Sequence, residues 1–213
     1  MKVFSFTKIK KTNTGFSLVE LLMVSAIFFI ILGVTLFKQS RFSSDILISN
    51  TAYDVALSIR EAQVFGVGSR EADVDPSLPL AYGVHFEIGE KGSYKTFLDG
   101  REGSQDYVYT AGEEIENISL TREQKIKEFA VANADGVWDY PDSADIVFKK
   151  PDLDARIRPN GDSGGVTHPE IRIMVQSSLG DKCRIVSVTS VGQISVLPVC
   201  SAEDTCSLEC FEE

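Results

Sequence analysis

Gly15-Phe16-Ser17-Leu18-Val19-Glu20 opens an apolar run that continues to Phe37, and Glu20 is the only ionisable side chain between Phe16 and Phe37. As a helix, roughly 22 residues reach about 33 Å, enough to cross the hydrocarbon core of a bilayer. Ahead of the run stand Lys2, Lys8, Lys10 and Lys11 and no acid, so the N-terminus is expected to stay cytoplasmic while the rest crosses. A secretory signal would carry its cleavage site after the apolar run, and no small-x-small site follows Gly33 or Leu36. A carboxylate at the centre of a span costs about 2.5–3.5 kcal/mol or more, and snorkelling lowers that figure near the end, where Glu20 sits. Such a residue is a functional candidate by position.

From Lys10 to Leu22 the sequence KKTNTGFSLVELL resembles the class III signal of type IV prepilins and type II secretion pseudopilins. The elements shared are a short basic leader, a glycine, a phenylalanine, a glutamate at the fifth position after the glycine, and an unbroken hydrophobic helix. The resemblance implies that a prepilin peptidase cuts after Gly15 and methylates the new Phe16 amine. It also implies that Glu20 serves assembly by pairing with the Phe16 amine of a neighbouring subunit. The new ammonium would lie four residues before Glu20 on one helix face, so a charge-assisted pair within one chain is open as well.

The bulk numbers narrow the partners. The chain has 213 residues and a formal charge of −10, and loss of the four leader lysines takes it to −14. Such a balance argues against nucleic acid as a partner. Beyond the span about 175 residues remain, enough for one modest domain with its own core. Cys183, Cys200, Cys206 and Cys210 all lie in the region expected outside the cytoplasm and read as candidate disulfides.

Past the span, Ile48, Ala52, Val55, Ile59 and Ala62 are spaced four, three, four and three, one apolar stripe on a continuing helix. Asp45, Asp54, Arg60 and Glu61 avoid that stripe, which fits packing against a sheet. No proline interrupts the chain before Pro76, and Gly66 and Gly68 mark the helix end. Residues 69–80 read as a loop. Ala81–Glu87 and Tyr94–Leu98 alternate like paired strands with a turn at Gly89–Gly92. Tyr107–Thr110 and Ile126–Val131 are short strand candidates in an acidic middle, and Ile146–Phe148 with Ala155–Arg158 form another pair.

Ile171–Val175, Cys183–Val188 and Gln193–Leu197 close the series. A two-residue turn at Val191-Gly192 would pair positions summing to 383, setting Cys183 opposite Cys200 at disulfide distance. Cys206 and Cys210 would then pair with each other or with a partner chain, or remain thiols. This strand order is similar to that of the H-type minor pseudopilins, whose heads pack an antiparallel sheet on the second half of the long helix. The expected fold is therefore α+β and pilin-like: leader 1–15, membrane and assembly helix 16–37, extracytoplasmic helix 38–67, and a β-rich head 68–213 with an acidic, cysteine-bearing tail.

Other motifs carry less. Gly161-Asp162-Ser163-Gly164-Gly165 matches the nucleophile motif of chymotrypsin-like proteases. Its partners fail: His85 sits in Gly-Val-His-Phe, Val166 replaces the family's proline, and about 145 residues are too few for two β-barrels. A Gly/Ser connection between strands is the preferred reading. His168 beside Pro169 is no ligand set. Asn133, Asp135 and Asp139 around Gly136 lack EF-hand spacing for calcium. The tail acids Glu203, Asp204, Glu209, Glu212 and Glu213 oppose DNA binding. The expectation is a non-enzymatic filament subunit without cofactor or metal. Its partners would be the prepilin peptidase, other pilin or pseudopilin subunits and the bacterial inner membrane, with the head on the cell surface after assembly. The contrasting expectation is a membrane-tethered binding module that never polymerises.

Overall fold

The computed structural model describes residues 15–68, 80–89, 92–100, 105–120, 124–161, 168–178, 180 and 182–198, without the side chains of 37–44. One helix, α1 (Leu18–Gly68), runs for 51 residues. The chain divides into two units, 1–42 and 43–213. In the first, Leu18–Leu36 is long and apolar enough to cross a membrane, with a mean hydropathy of 2.5 and none of it buried.

The second unit is built on the last part of α1. Its apolar stripe is buried as the spacing requires: Ile48, Ala52, Val55 and Ile59 are inaccessible and Ala62 nearly so. They share one core with residues from two antiparallel sheets. Gly66 belongs to this packing rather than to the helix end. A Cβ there would fall 2.5 Å from the carbonyl oxygen of Phe148, so only glycine allows the approach.

The first sheet joins β1 (Ala81–Glu87), β2 (Ser93–Asp99), β3 (Glu114–Ser119), β6 (Ser143–Phe148) and β7 (Ala155–Pro159) in the order β3-β2-β1-β6-β7. The second joins β4 (Lys125–Ala132), β5 (Trp138–Asp139), β8 (Glu170–Gln176), β9 (Cys183–Thr189) and β10 (Ile194–Val196) in the order β10-β9-β8-β4-β5. Alternation decides the faces. Tyr82, Val84 and Phe86 of β1, and Ile171, Ile173 and Val175 of β8, point into the shared core. Ala81, Phe97 and Val147 form a small cluster on the other face of the first sheet, covered by Tyr107 and Tyr109. Gly83 makes that cluster possible, because a Cβ there would sit 2.5 Å from the Phe97 ring.

Four expectations need correction. The head has two sheets, not one, since β4 leaves the first sheet and pairs with β8. Tyr107–Thr110 is not a strand: Tyr107 has φ +66°, and the N–H groups of Tyr107 and Thr110 are taken by the buried carboxylates of Asp99 and Glu113 instead of a ladder. Glu114–Ser119, unmarked in the sequence, is the edge strand β3. The last hairpin turns through Ser190, Val191 and Gly192, and its pairs Ile194↔Val188, Ser195↔Ser187 and Val196↔Val186 run one position short of the expected register. The Thr189 N–H bonds the Gln193 carbonyl, and Gly192 takes φ +81°, the left-handed residue a three-residue turn needs. The register that put Cys183 opposite Cys200 is therefore absent. Cys183 is buried on the face of β9 with Ala130, Met174 and Ile185. Cys200, Cys206 and Cys210 lie outside the described residues, as do residues 1–14 of the proposed leader and the acidic tail.

Candidate functional site

Two places concentrate chemistry, one in each unit. At the start of α1, the Leu21 N–H bonds the Ser17 carbonyl at 3.1 Å, which makes Ser17 the residue that caps the helix. Phe16 is 80% exposed, and Glu20 is exposed in the first turn. A carboxylate in a first turn faces the positive end of the helix dipole, and Ser17-x-x-Glu20 has the spacing of a capping box. Glu20 thus has a local stabilising role available before any second subunit is invoked. Gly15 precedes the helix with open space around its α-carbon.

In the head, the outer face of the first sheet carries a polar row set by strand register. Lys95, His85, Asp145 and Arg158 are successive partners across β2, β1, β6 and β7. His85 Nδ1 lies 2.7 Å from Asp145 Oδ1, and His85 Nε2 lies 3.9 Å from Glu87. The Tyr109 ring packs on the imidazole at a centroid distance of 4.5 Å. Asp145 is almost wholly inaccessible. Burial raises its pKa, and the bond from His85 offsets part of that rise.

Residues 105–113 form a strap over this face. The N–H groups of Asp106 and Tyr107 donate to Asp99 at 3.3 and 3.0 Å. Glu113 accepts from Gly100 at 3.1 Å and from Thr110 at 3.0 Å. Both carboxylates are buried, and desolvation lifts the Asp99 pKa to about 6 against the bonds from Tyr107 and Asp106 that lower it. The Arg156 guanidinium stacks 4.4 Å from the Tyr107 ring centroid, and Lys149 Nζ lies 3.3 Å from the Tyr107 hydroxyl.

Beside this face opens a cleft of about 420 Å³ lined by Lys149, Asp152, Asp154, Arg156, His168 and Ser190, among others. Two aspartates share its lining with cations, which leaves it a mixed-charge surface. His168 is buried, with Nδ1 3.3 Å from the Ala132 carbonyl. A second groove of about 370 Å³ runs between α1 and β2–β3, past Asp54, Leu57, Glu61 and Tyr94.

The structure places the sequence candidates unevenly. Gly15, Phe16 and Glu20 stand together at one helix end. Asn133 and Asp139 are bonded to each other across the β4–β5 turn, with Gly136 at φ +79°. Among the described residues no group of three or more His, Cys, Asp or Glu gathers to hold a metal. Ser163 lies outside the described residues. The His85–Asp145 pair was missed because 60 residues separate its members and only strand pairing joins them. The one signal was an aspartate inside the apolar strand Ser143–Phe148. No protein family, curated protein or solved structure gives a match to this chain.

Proposed function

We propose that the chain is a minor pilin or pseudopilin, a structural subunit of a type IV filament or type II secretion pseudopilus. The observation that carries the reading is α1 itself. Its first 19 residues from Leu18 are apolar and unburied, with one carboxylate in the first turn, and its later stripe is the spine of an antiparallel α+β head. A helix apolar on all sides asks for lipid or other apolar helices around it. The head's buried side chains at Ile48–Ala62 ask for sheets.

On this reading a prepilin peptidase removes residues 1–15 and methylates Phe16. The subunit waits in the bacterial inner membrane with its N-terminus cytoplasmic and its head outside. Assembly packs the apolar helices of neighbouring subunits together, with Glu20 setting register against a Phe16 amine. The His85–Asp145 pair and the strap position the head surface and are not asked to do catalysis.

Intact mass and N-terminal sequencing of the protein from native membranes test the reading. A chain beginning at methylated Phe16, whose Glu20→Ala variant is processed but no longer enters sheared filaments, is the expected result. A chain that keeps Met1–Gly15 beside an active peptidase, or a Glu20→Ala variant with full function, would leave a membrane-tethered binding module in its place.

A further inference from the structure

The face of α1 turned away from the core is also apolar. Ile46, Tyr53, Leu57 and Val64 are 47%, 57%, 65% and 56% exposed. They follow one another by seven, four and seven residues, the spacing of a coiled-coil seam. At 3.6 residues per turn their mean direction lies roughly 160° from that of the buried stripe, so the helix carries two opposed apolar faces and the sheets cover one. A single exposed leucine is ordinary; four large apolar residues in one row are a contact surface.

We propose that this outward face pairs with the same face of a second copy of the chain, the two helices lying parallel. Charge and polarity on the row argue for a copy of itself. The seam positions between the apolar residues are Asn50 and Arg60, both exposed. In a parallel pair Asn50 meets its own counterpart, a pairing that favours two strands in fixed register. Arg60, bonded to Gln63 within its own chain, meets Arg60 of the second copy in the same register, and the partner flank that carries Glu61, with Asp54 one turn-pair earlier, brings the opposite charge beside that pair. The groove between α1 and β2–β3, which Leu57, Asp54 and Glu61 line, gives the partner's Arg60 room.

The area fits a pairing that needs help. Four side chains this exposed present on the order of 400 Å² per helix. A free-standing dimer buries about 800 Å² per partner. The contact is therefore suited to chains already held at one surface, and the parallel sense rests on the proposed membrane span at Leu18–Leu36.

The test uses the full chain in bacterial membranes, in cells without a prepilin peptidase so that filament packing cannot supply the contact. The photocrosslinker p-benzoylphenylalanine replaces Ile46, Val64 or, as an exposed position elsewhere on the head, Val137. The expected result is an adduct of twice the chain mass from 46 and 64, about tenfold above that from 137, with position 46 joined to a peptide around 46. Leu57→Glu should lower the yield at 46 about tenfold with the head's melting temperature unchanged. An adduct no stronger than that of 137, an adduct of another mass, or a join from 46 to the region of 64 each overturns the proposal. Release of the chain by alkaline carbonate would remove the span and the reason for parallel pairing, while leaving the processing test of the filament reading to stand by its own result.

Discussion

Leu18–Leu36 and Ile46–Gly66 are stretches of one α-helix that solve different problems. In the first, every large apolar side chain is exposed and apolarity runs all the way round. In the second, apolarity is confined to rows, and the row facing the sheets is sealed while polar residues separate it from the other. Helix propensity does not distinguish the two. What differs is where the apolar residues lie: the first stretch is apolar all round and long enough to cross a membrane, the second is apolar toward a protein core on one side.

The largest expected effect comes from placing the same charge in each stretch. Ile59→Asp puts an unpaired carboxylate into the shared core and should cost the head at least about 3–5 kcal/mol, or its folding altogether. Ile27→Asp should leave the head's thermal melting unchanged and instead reduce the membrane-bound fraction. Circular dichroism on the extracted proteins and membrane fractionation read the two outcomes. Equal loss of head stability from both variants would erase the distinction between the stretches.

A smaller effect isolates how tightly the sealed row is packed. Gly66→Ala adds one methyl against the Phe148 carbonyl and should destabilise the head by about 1–3 kcal/mol. In an exposed helix the same change would stabilise by about 1 kcal/mol. The sign of the shift in denaturant midpoint therefore decides whether the helix sits as close to β6 as described.

The smallest effect concerns the strap and follows pH. Asp99 ionises in the fold only near pH 6, above its ordinary value of 3.8, because burial disfavours the charge. The folded state thus holds this proton more tightly than the unfolded chain does. Stability from this group is complete below about pH 4 and is lost as pH rises through 6. The loss should be about 1–2 kcal/mol once solvent screening is allowed for. Asp99→Asn should flatten that part of the pH–stability curve. Asp145 shifts in the same direction and for the same cause.

Legibility in the sequence followed periodicity. The stripe from Ile48 to Ala62 could be read because one face of the helix is buried there, and the strand Ala81–Glu87 because its large apolar residues Tyr82, Val84 and Phe86 alternate into the shared core. β3 left no such record: Glu114, Ile115, Glu116 and Asn117 are all exposed at a sheet edge, so no alternation is imposed on them. Tyr107–Thr110 misled for the opposite reason. Its residues favour strands, but Asp99 and Glu113 reach its backbone first. The division into two sheets depends on which strands pair across long separations, and a one-residue difference in the final turn moved a whole ladder. At the sites, Gly15, Phe16 and Glu20 could be read because they are adjacent, whereas His85 and Asp145 could not because the fold brings them together.

The strap has a consequence for amide exchange. Asp106, Tyr107 and Thr110 belong to no strand, yet their N–H groups end on side-chain carboxylates that water scarcely reaches. Exchange requires the donor to leave its acceptor and meet solvent, whatever the acceptor is. A deuterium map of the head would accordingly show these loop amides retained alongside the ladders, with their release timed by the opening of one local cap rather than by the unzipping of a sheet.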